Sequence, residues 1–390
     1  MPRFWTQLAI ATNWPVLAAL TVLSSLGAAS IYVSDRADGQ KQLVFLGIAF
    51  GCMIAFQVVN YRTIGRWVWP FYVFSLLLVA YTVAGHVGSL PLVHNIKGVY
   101  AWINIGPISL EPSELAKISF VLVLARYLRY RSNYRTVAGL LAPFGLALLP
   151  ILLILKQPDL GVAAIFLPTL LVMLFIAGAK VRHIFATVGL GLLFAPIFWF
   201  SGQPNVPVFR YGPKLMQPYQ RDRVNAMLTR TAASNNGSDY QQHHALMAIG
   251  TGGWFGKGFG HIPVGSHVPE NHNDMIFALI GEQFGLLGTI GVILAFLILF
   301  GTGIVISSKT KEPFGRLIAV GIVAELACQS SVNLMVCLRM MPVTGVTLPF
   351  VSYGGSSLIA SYMAAGLLLN VGQNRPITFA KDAFEFDDAD

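Results

Sequence analysis

Six consecutive residues, Pro269, Glu270, Asn271, His272, Asn273 and Asp274, stand directly before an apolar stretch that begins at Met275. They end the one long hydrophilic loop of a chain that is otherwise mostly apolar. A carboxylate held where water meets lipid costs solvation energy, so such a position marks chemistry more often than decoration. Asp274 is of the type that does general-base work. A positioned carboxylate that takes a proton from a hydroxyl contributes about 10²–10⁴-fold in rate. Glu270 and His272 are the neighbours expected to orient it.

Three smaller polar clusters are expected on the same membrane face. In the first, Glu111, Pro112, Ser113, Glu114 and Lys117 open an apolar stretch. Pro112 suits the first turn of a helix, Glu114 suits its positive end, and Glu114 and Lys117 share a face. A lysine inside such a span costs about 2.5–3.5 kcal/mol unless paired or hydrated. Lys117 is therefore expected to face a wet, outward-opening cavity. In the second, 156–161, a tight turn holds Pro158, Asp159 and Gly161, which turn chemistry alone explains; the alternative is a carboxylate held near Lys117. The third, 343–357, opens the last span. Its small residues, Ser352, Gly354 and Gly355 among them, permit close helix packing. They also leave N–H groups free for an anion at a helix N-terminus. Asn333, in the preceding span, needs a partner in lipid.

The elements that must carry these residues are membrane spans. Of 390 residues, 55% are hydrophobic and 11% charged, against about 25% charged in soluble domains. A span needs about 20 apolar residues. Spans are expected near 13–33, 42–59, 69–86, 114–130, 138–155, 160–178, 183–200, 276–306, 315–338 and 348–371. The fold class is an all-α polytopic membrane protein of about ten transmembrane helices. One large extracytoplasmic loop, 201–275, lies between spans 7 and 8. The chain reads as a single membrane domain over 1–390, with an acidic tail at 376–390.

Lysine and arginine in short loops set the orientation. Arg62, Arg66, Arg129, Arg131, Arg135, Lys180, Arg182, Lys309, Lys311 and Arg316 fall on one side. Arg36, Lys41, Lys97, Lys156 and Arg339 fall on the other. The richer side is expected to be cytoplasmic, with both termini, so all four polar clusters lie outside. The formal charge of +9 fits positive-inside loops and an anionic lipid partner. Its dispersal among spans argues against nucleic acid.

Other motifs carry less. Residues 99–110 alternate around Gly106 and Pro107 and suggest a hairpin on the outer interface. The glycine-rich run 250–260 lacks Walker spacing, although bare amides there could approach a phosphate or sugar. His261, His267 and His272 match no zinc spacing. Cys52, Cys328 and Cys337 form no disulfide framework.

Segments 111–117, 157–161, 269–274 and 342–356, with the glycine run, resemble the SEDS proteins (shape, elongation, division and sporulation), above all those of the RodA and FtsW type. The resemblance covers essentially the whole chain. It implies a peptidoglycan glycosyltransferase that polymerises lipid II, a disaccharide on undecaprenyl diphosphate, at the outer face of the bacterial plasma membrane. It also implies a class B penicillin-binding protein, a transpeptidase, as partner. Asp274 matches the family's essential loop aspartate, Glu114 and Lys117 its glutamate and lysine at the start of a helix, and Asp159 its turn aspartate. We take Asp274 as catalytic, and Glu114, Lys117, Asp159, Glu270, His272, Ser352, Gly354 and Gly355 as substrate-binding. Lys117 is the cation expected at the leaving pyrophosphate, with a divalent cation (Mg or Mn) as an optional helper. The chain departs from the pattern at Ala101, where arginine is common, and at Glu111, Asn273 and Gln283. Two rival functions remain open: a flippase for the lipid-linked precursor, and a non-catalytic scaffold for a transpeptidase.

Overall fold

A computed structural model of the protein describes residues 13–85, 90–93, 99–106, 108–131, 133–136, 138–200, 223 and 237–373. The expectations for Lys97, for 217–222 and for the acidic tail lie outside the described residues. The regular elements of the described chain are helices, apart from one two-stranded hairpin.

Helix α1 (Trp14–Ser34) opens with a proline in its first turn. Asp35 ends it and caps α2 (Arg36–Val58), accepting from the amides of Ala37 and Asp38. The second span therefore starts earlier than its hydropathy suggests, because a capped polar first turn lies outside the apolar window. A single turn, α3 (Tyr61–Ile64), leads to α4 (Val68–Ala84). Strands β1 (Ile103–Ile105) and β2 (Ile108–Leu110) pair antiparallel with Asn104 opposite Ser109, which realises the expected hairpin. Then follow α5 (Pro112–Tyr130), α6 (Leu141–Lys156), α7 (Leu160–Ala177), α8 (Val181–Phe200) and α9 (Ser238–Thr251). The last three are α10 (Ile276–Lys309), α11 (Pro313–Cys337) and α12 (Gly355–Gln373).

Each expected span falls on one of these helices. Seven of the described helices are long and apolar enough to cross a membrane. The chain is an integral membrane protein, and the exposed leucines of α6, α7 and α10 are its lipid-facing surface. Helix α12 is the most enclosed of the seven, and α11 follows. Around them stand α1, α2, α5, α7 and α10. Between α11 and α12 the chain is irregular from Leu338 to Gly354, so α12 begins seven residues later than the span expected from 348. This irregular stretch reaches the protein's centre: a methyl at Gly27 of α1 would lie 2.3 Å from the carbonyl oxygen of Val351. Only glycine lets α1 approach it so closely.

Candidate functional site

The stretch 343–354 joins the four polar clusters. Irregular backbone at membrane depth survives only where protein satisfies its polar groups, and here distant side chains do so. Asn333 Nδ2 donates to the carbonyl of Val346 at 2.8 Å, and Gln329 Nε2 to that of Thr347 at 3.1 Å. Arg223, from the long loop, donates to Val343 at 3.0 Å, and Gln42 of α2 to Ser352 at 3.1 Å.

The Asp274 loop is fastened to this stretch through its backbone. Asn333 Nδ2 also donates to the carbonyl of Asp274 at 2.8 Å, which gives this intramembrane amide the partner its sequence position demanded. Ser352 Oγ donates to the carbonyl of Asn273 at 2.6 Å while accepting from Leu348 N at 2.8 Å. The amide of Tyr353 donates to His272 O at 2.9 Å. On the other side, Ser34 donates to Asn271 Oδ1 at 2.7 Å, and Asn271 Nδ2 donates to Gly265 O at 2.9 Å. A methyl at Gly345 would stand 3.9 Å from Asp274 Oδ2, so the half-exposed carboxylate lies over the same stretch. Glu270 accepts from Asn273 Nδ2 at 2.6 Å. His272 Nε2 is 3.8 Å from Asp38 Oδ2, and its ring meets Tyr353 edge-on. Ser352 thus holds the loop, and Gly355 packs on the ring of Phe45. Ser352→Ala leaves a buried donor and acceptor unmet and should cost about 1–3 kcal/mol. Hydrogen exchange across 270–274 should quicken; unchanged protection would remove Ser352 as the fastening.

Lys117 corrects one expectation. It is 2% exposed, closed off from any wet cavity by partners on α11. Its Nζ lies 3.1 Å from Glu114 Oε2 and 3.8 Å from Glu325 Oε1, and donates to Gln329 Oε1 at 2.6 Å. Gln329 passes the network to Thr347, whose hydroxyl is 2.7 Å from that of Ser357. Sequence reading missed Glu325 and Gln329, although a carboxylate inside an apolar span is itself a signal.

Asp159 caps α7 through Val162 N at 3.0 Å, and a methyl on Gly161 would strike the Thr344 carbonyl at 2.7 Å. The short turn is therefore pressed against the shared stretch, and Arg223 lies near enough to act on Asp159. Burial pushes the Asp159 carboxyl up to about 6; the Val162 amide opposes this and the Glu114 charge adds to it. Burial, with Glu114 and Asp159, lifts Glu111 to about 8. Both acids bind protons more tightly folded than unfolded, so stability falls as pH rises. For Asp159 the fall runs from the ordinary aspartate value of 3.8 to about 6. Asp159→Asn should flatten that slope in a denaturation series across pH; an unchanged slope would place the titration elsewhere.

Part of the glycine run 250–260 is engaged by the protein itself. Lys257 N and Gly258 N donate to the carbonyls of Glu282 and Gln283 on α10. Among the described residues, no group of three or more His, Cys, Asp or Glu side chains converges to hold a metal ion.

Comparison with known proteins finds relatives over nearly the whole chain. The FtsW–RodA–SpoVE family model, described as "Cell cycle protein", matches residues 4–376. Stage V sporulation protein E of Bacillus subtilis is 32% identical over 366 residues, covering 92% of this chain and 94% of that protein. Peptidoglycan glycosyltransferase MrdB of Escherichia coli is 31% identical over 380 residues, covering 95% and 96%. A solved structure described as "Structural coordination of polymerization and crosslinking by a peptidoglycan synthase complex" contains a chain 28% identical, with a TM-score of 0.76 and coverage of 94% and 99%. The chain belongs to the FtsW–RodA–SpoVE family, the SEDS peptidoglycan glycosyltransferases.

Proposed function

We propose that the chain polymerises lipid II into glycan strands at the outer face of the bacterial plasma membrane, with Asp274 as general base. The observation that carries this reading is the fastening of the Asp274 loop, through Asn333 and Ser352, to the stretch that also meets Arg223 and the Asp159 turn. A base must be held in place to work. Asp274 takes the proton from the 4-hydroxyl of the acceptor sugar as that oxygen attacks the anomeric carbon of the donor. The carbon–oxygen bond to the pyrophosphate breaks, and the lipid pyrophosphate leaves with the electron pair. A single displacement inverts the anomeric centre.

The leaving group needs a cation. Arg223 is half-buried beside Val343 and is our candidate for the phosphate contact. Lys117 neutralises Glu114 and Glu325 and positions the floor of the site. Glu114, Asp159, Glu270, His272, Gly354 and Gly355 border the sugar and phosphate region in this reading, and Ser352 holds the base. The partner is a class B penicillin-binding protein, which the likeness to a chain of a synthase complex supports. The lysine and arginine distribution supports termini in the cytoplasm.

The test uses purified protein in liposomes with labelled lipid II on one leaflet, alone and with its transpeptidase. Polymer without net movement of label supports the enzyme. Label crossing the bilayer without polymer would make the chain a flippase, and neither outcome would make it a scaffold.

A further inference from the structure

The glycine-rich turn after α9 displays its aromatic side chains outward. Phe255 is 80% exposed, Trp254 69% and Phe259 59%. Such a patch on a rigid turn marks an interaction surface. The turn is rigid because it is joined backbone to backbone with α10. Leu286 N donates to Gly253 O at 2.8 Å, Leu287 N to Trp254 O at 3.2 Å, and Lys257 N to Glu282 O at 2.9 Å. Methyls at Gly256 and Gly285 would strike Gln283 O at 2.1 Å and Gly256 N at 2.3 Å. Both glycines also have positive φ, so other residues are excluded twice over.

The junction has a definite depth. Helix α10 leaves helical geometry at Gly285. Beyond it the helix runs to Lys309, which covers the roughly 20 residues a hydrocarbon core needs. Gly285 therefore sits near the boundary opposite Lys309, and Leu286 and Leu287 are the first residues of the crossing. Both are exposed, and Ile290, Leu294 and Leu297 continue the exposed strip below them. The aromatic patch is continuous with that lipid-facing strip. Trp at such a boundary matches the aromatic belt of membrane proteins.

The turn is also tied to the Asp274 loop. Lys257 Nζ bonds Glu282 at 2.5 Å; Glu282 accepts from Val264 N at 3.0 Å and Gly265 N at 2.6 Å; Gly265 O accepts from Asn271. We infer that Trp254, Phe255 and Phe259 insert into the outer leaflet among the upper acyl carbons. They anchor the extracytoplasmic loop there and set the height of Asp274 above the lipid. The insertion is independent of the catalytic reading; its use for substrate depth rests on it.

The full-length protein is reconstituted in bilayers of phosphatidylcholine brominated near the glycerol end or near the methyl end of its acyl chains. The Trp254 signal is the difference between the wild type and Trp254→Phe, a change that keeps the apolar surface. Strong quenching of that signal by the glycerol-end bromines, with weaker quenching by the methyl-end bromines, is expected. Quenching by aqueous iodide with none from bromine would place the turn in water and overturn the proposal. Protection from both would mean that protein, a second copy included, covers the patch, and would overturn it equally. Polymerisation rate is not the readout, so a failed enzyme assay leaves this result intact.

Discussion

Lys117→Met should cost about 3–5 kcal/mol of stability, because it leaves buried carboxylates without their cation. Glu114 and Glu325 approach the ammonium from two helices, both nearly inaccessible to solvent. Methionine matches the lysine stem in volume, so packing is preserved and charge is what changes. A domain has only about 5–15 kcal/mol in reserve. The single variant should therefore melt far earlier in detergent or fail to accumulate. A second variant keeps the argument testable. Lys117→Met with Glu114→Gln and Glu325→Gln removes the surplus charge and should recover much of the loss. Lys117→Arg should fall between, since the planar guanidinium does not fit a site shaped for a compact ammonium. Wild-type melting of Lys117→Met with activity abolished would instead make Lys117 a direct substrate contact.

Asp274→Asn should lower polymerisation by about 10²–10⁴-fold while leaving the fold unchanged. The side chain is of the same size, and the bonds that hold the loop run through the backbone carbonyls of His272, Asn273 and Asp274. These survive the substitution. The amide cannot accept the proton, so the loss is expected in kcat more than in KM.

The sequence exposes charges that are costly in lipid and hides what neutralises them. Glu114, Lys117, Asp159 and Asp274 could be singled out because lipid makes each improbable without a purpose. Where Lys117 points could not be read. Its acceptor Gln329 is 212 residues away, and which face of α11 meets α5 is settled by packing alone. Stretch 343–354 was expected as the start of a helix because its residues are apolar and small. It stays irregular because Asn333, Gln329 and Arg223 reach it from elsewhere and replace helical hydrogen bonds with side-chain donors. The glycines of 250–260 suggest close approach by a phosphate or sugar; what packs against Gly252 and Gly256 in the fold is the backbone of α10, which no local pattern could name. The first turn of α2 escapes the sequence reading, because residues 36–42 are mostly polar and hydropathy starts the span at 42, while the helix itself starts at the Asp35 cap.

The most direct measurement compares wild type and Asp274→Asn, reconstituted with lipid II and the partner transpeptidase, with glycan strands separated on a gel. Strands from the wild type, and none from an Asp274→Asn protein of unchanged melting temperature, are the predicted result. Strands of ordinary length and yield from both proteins would contradict Asp274 as the base.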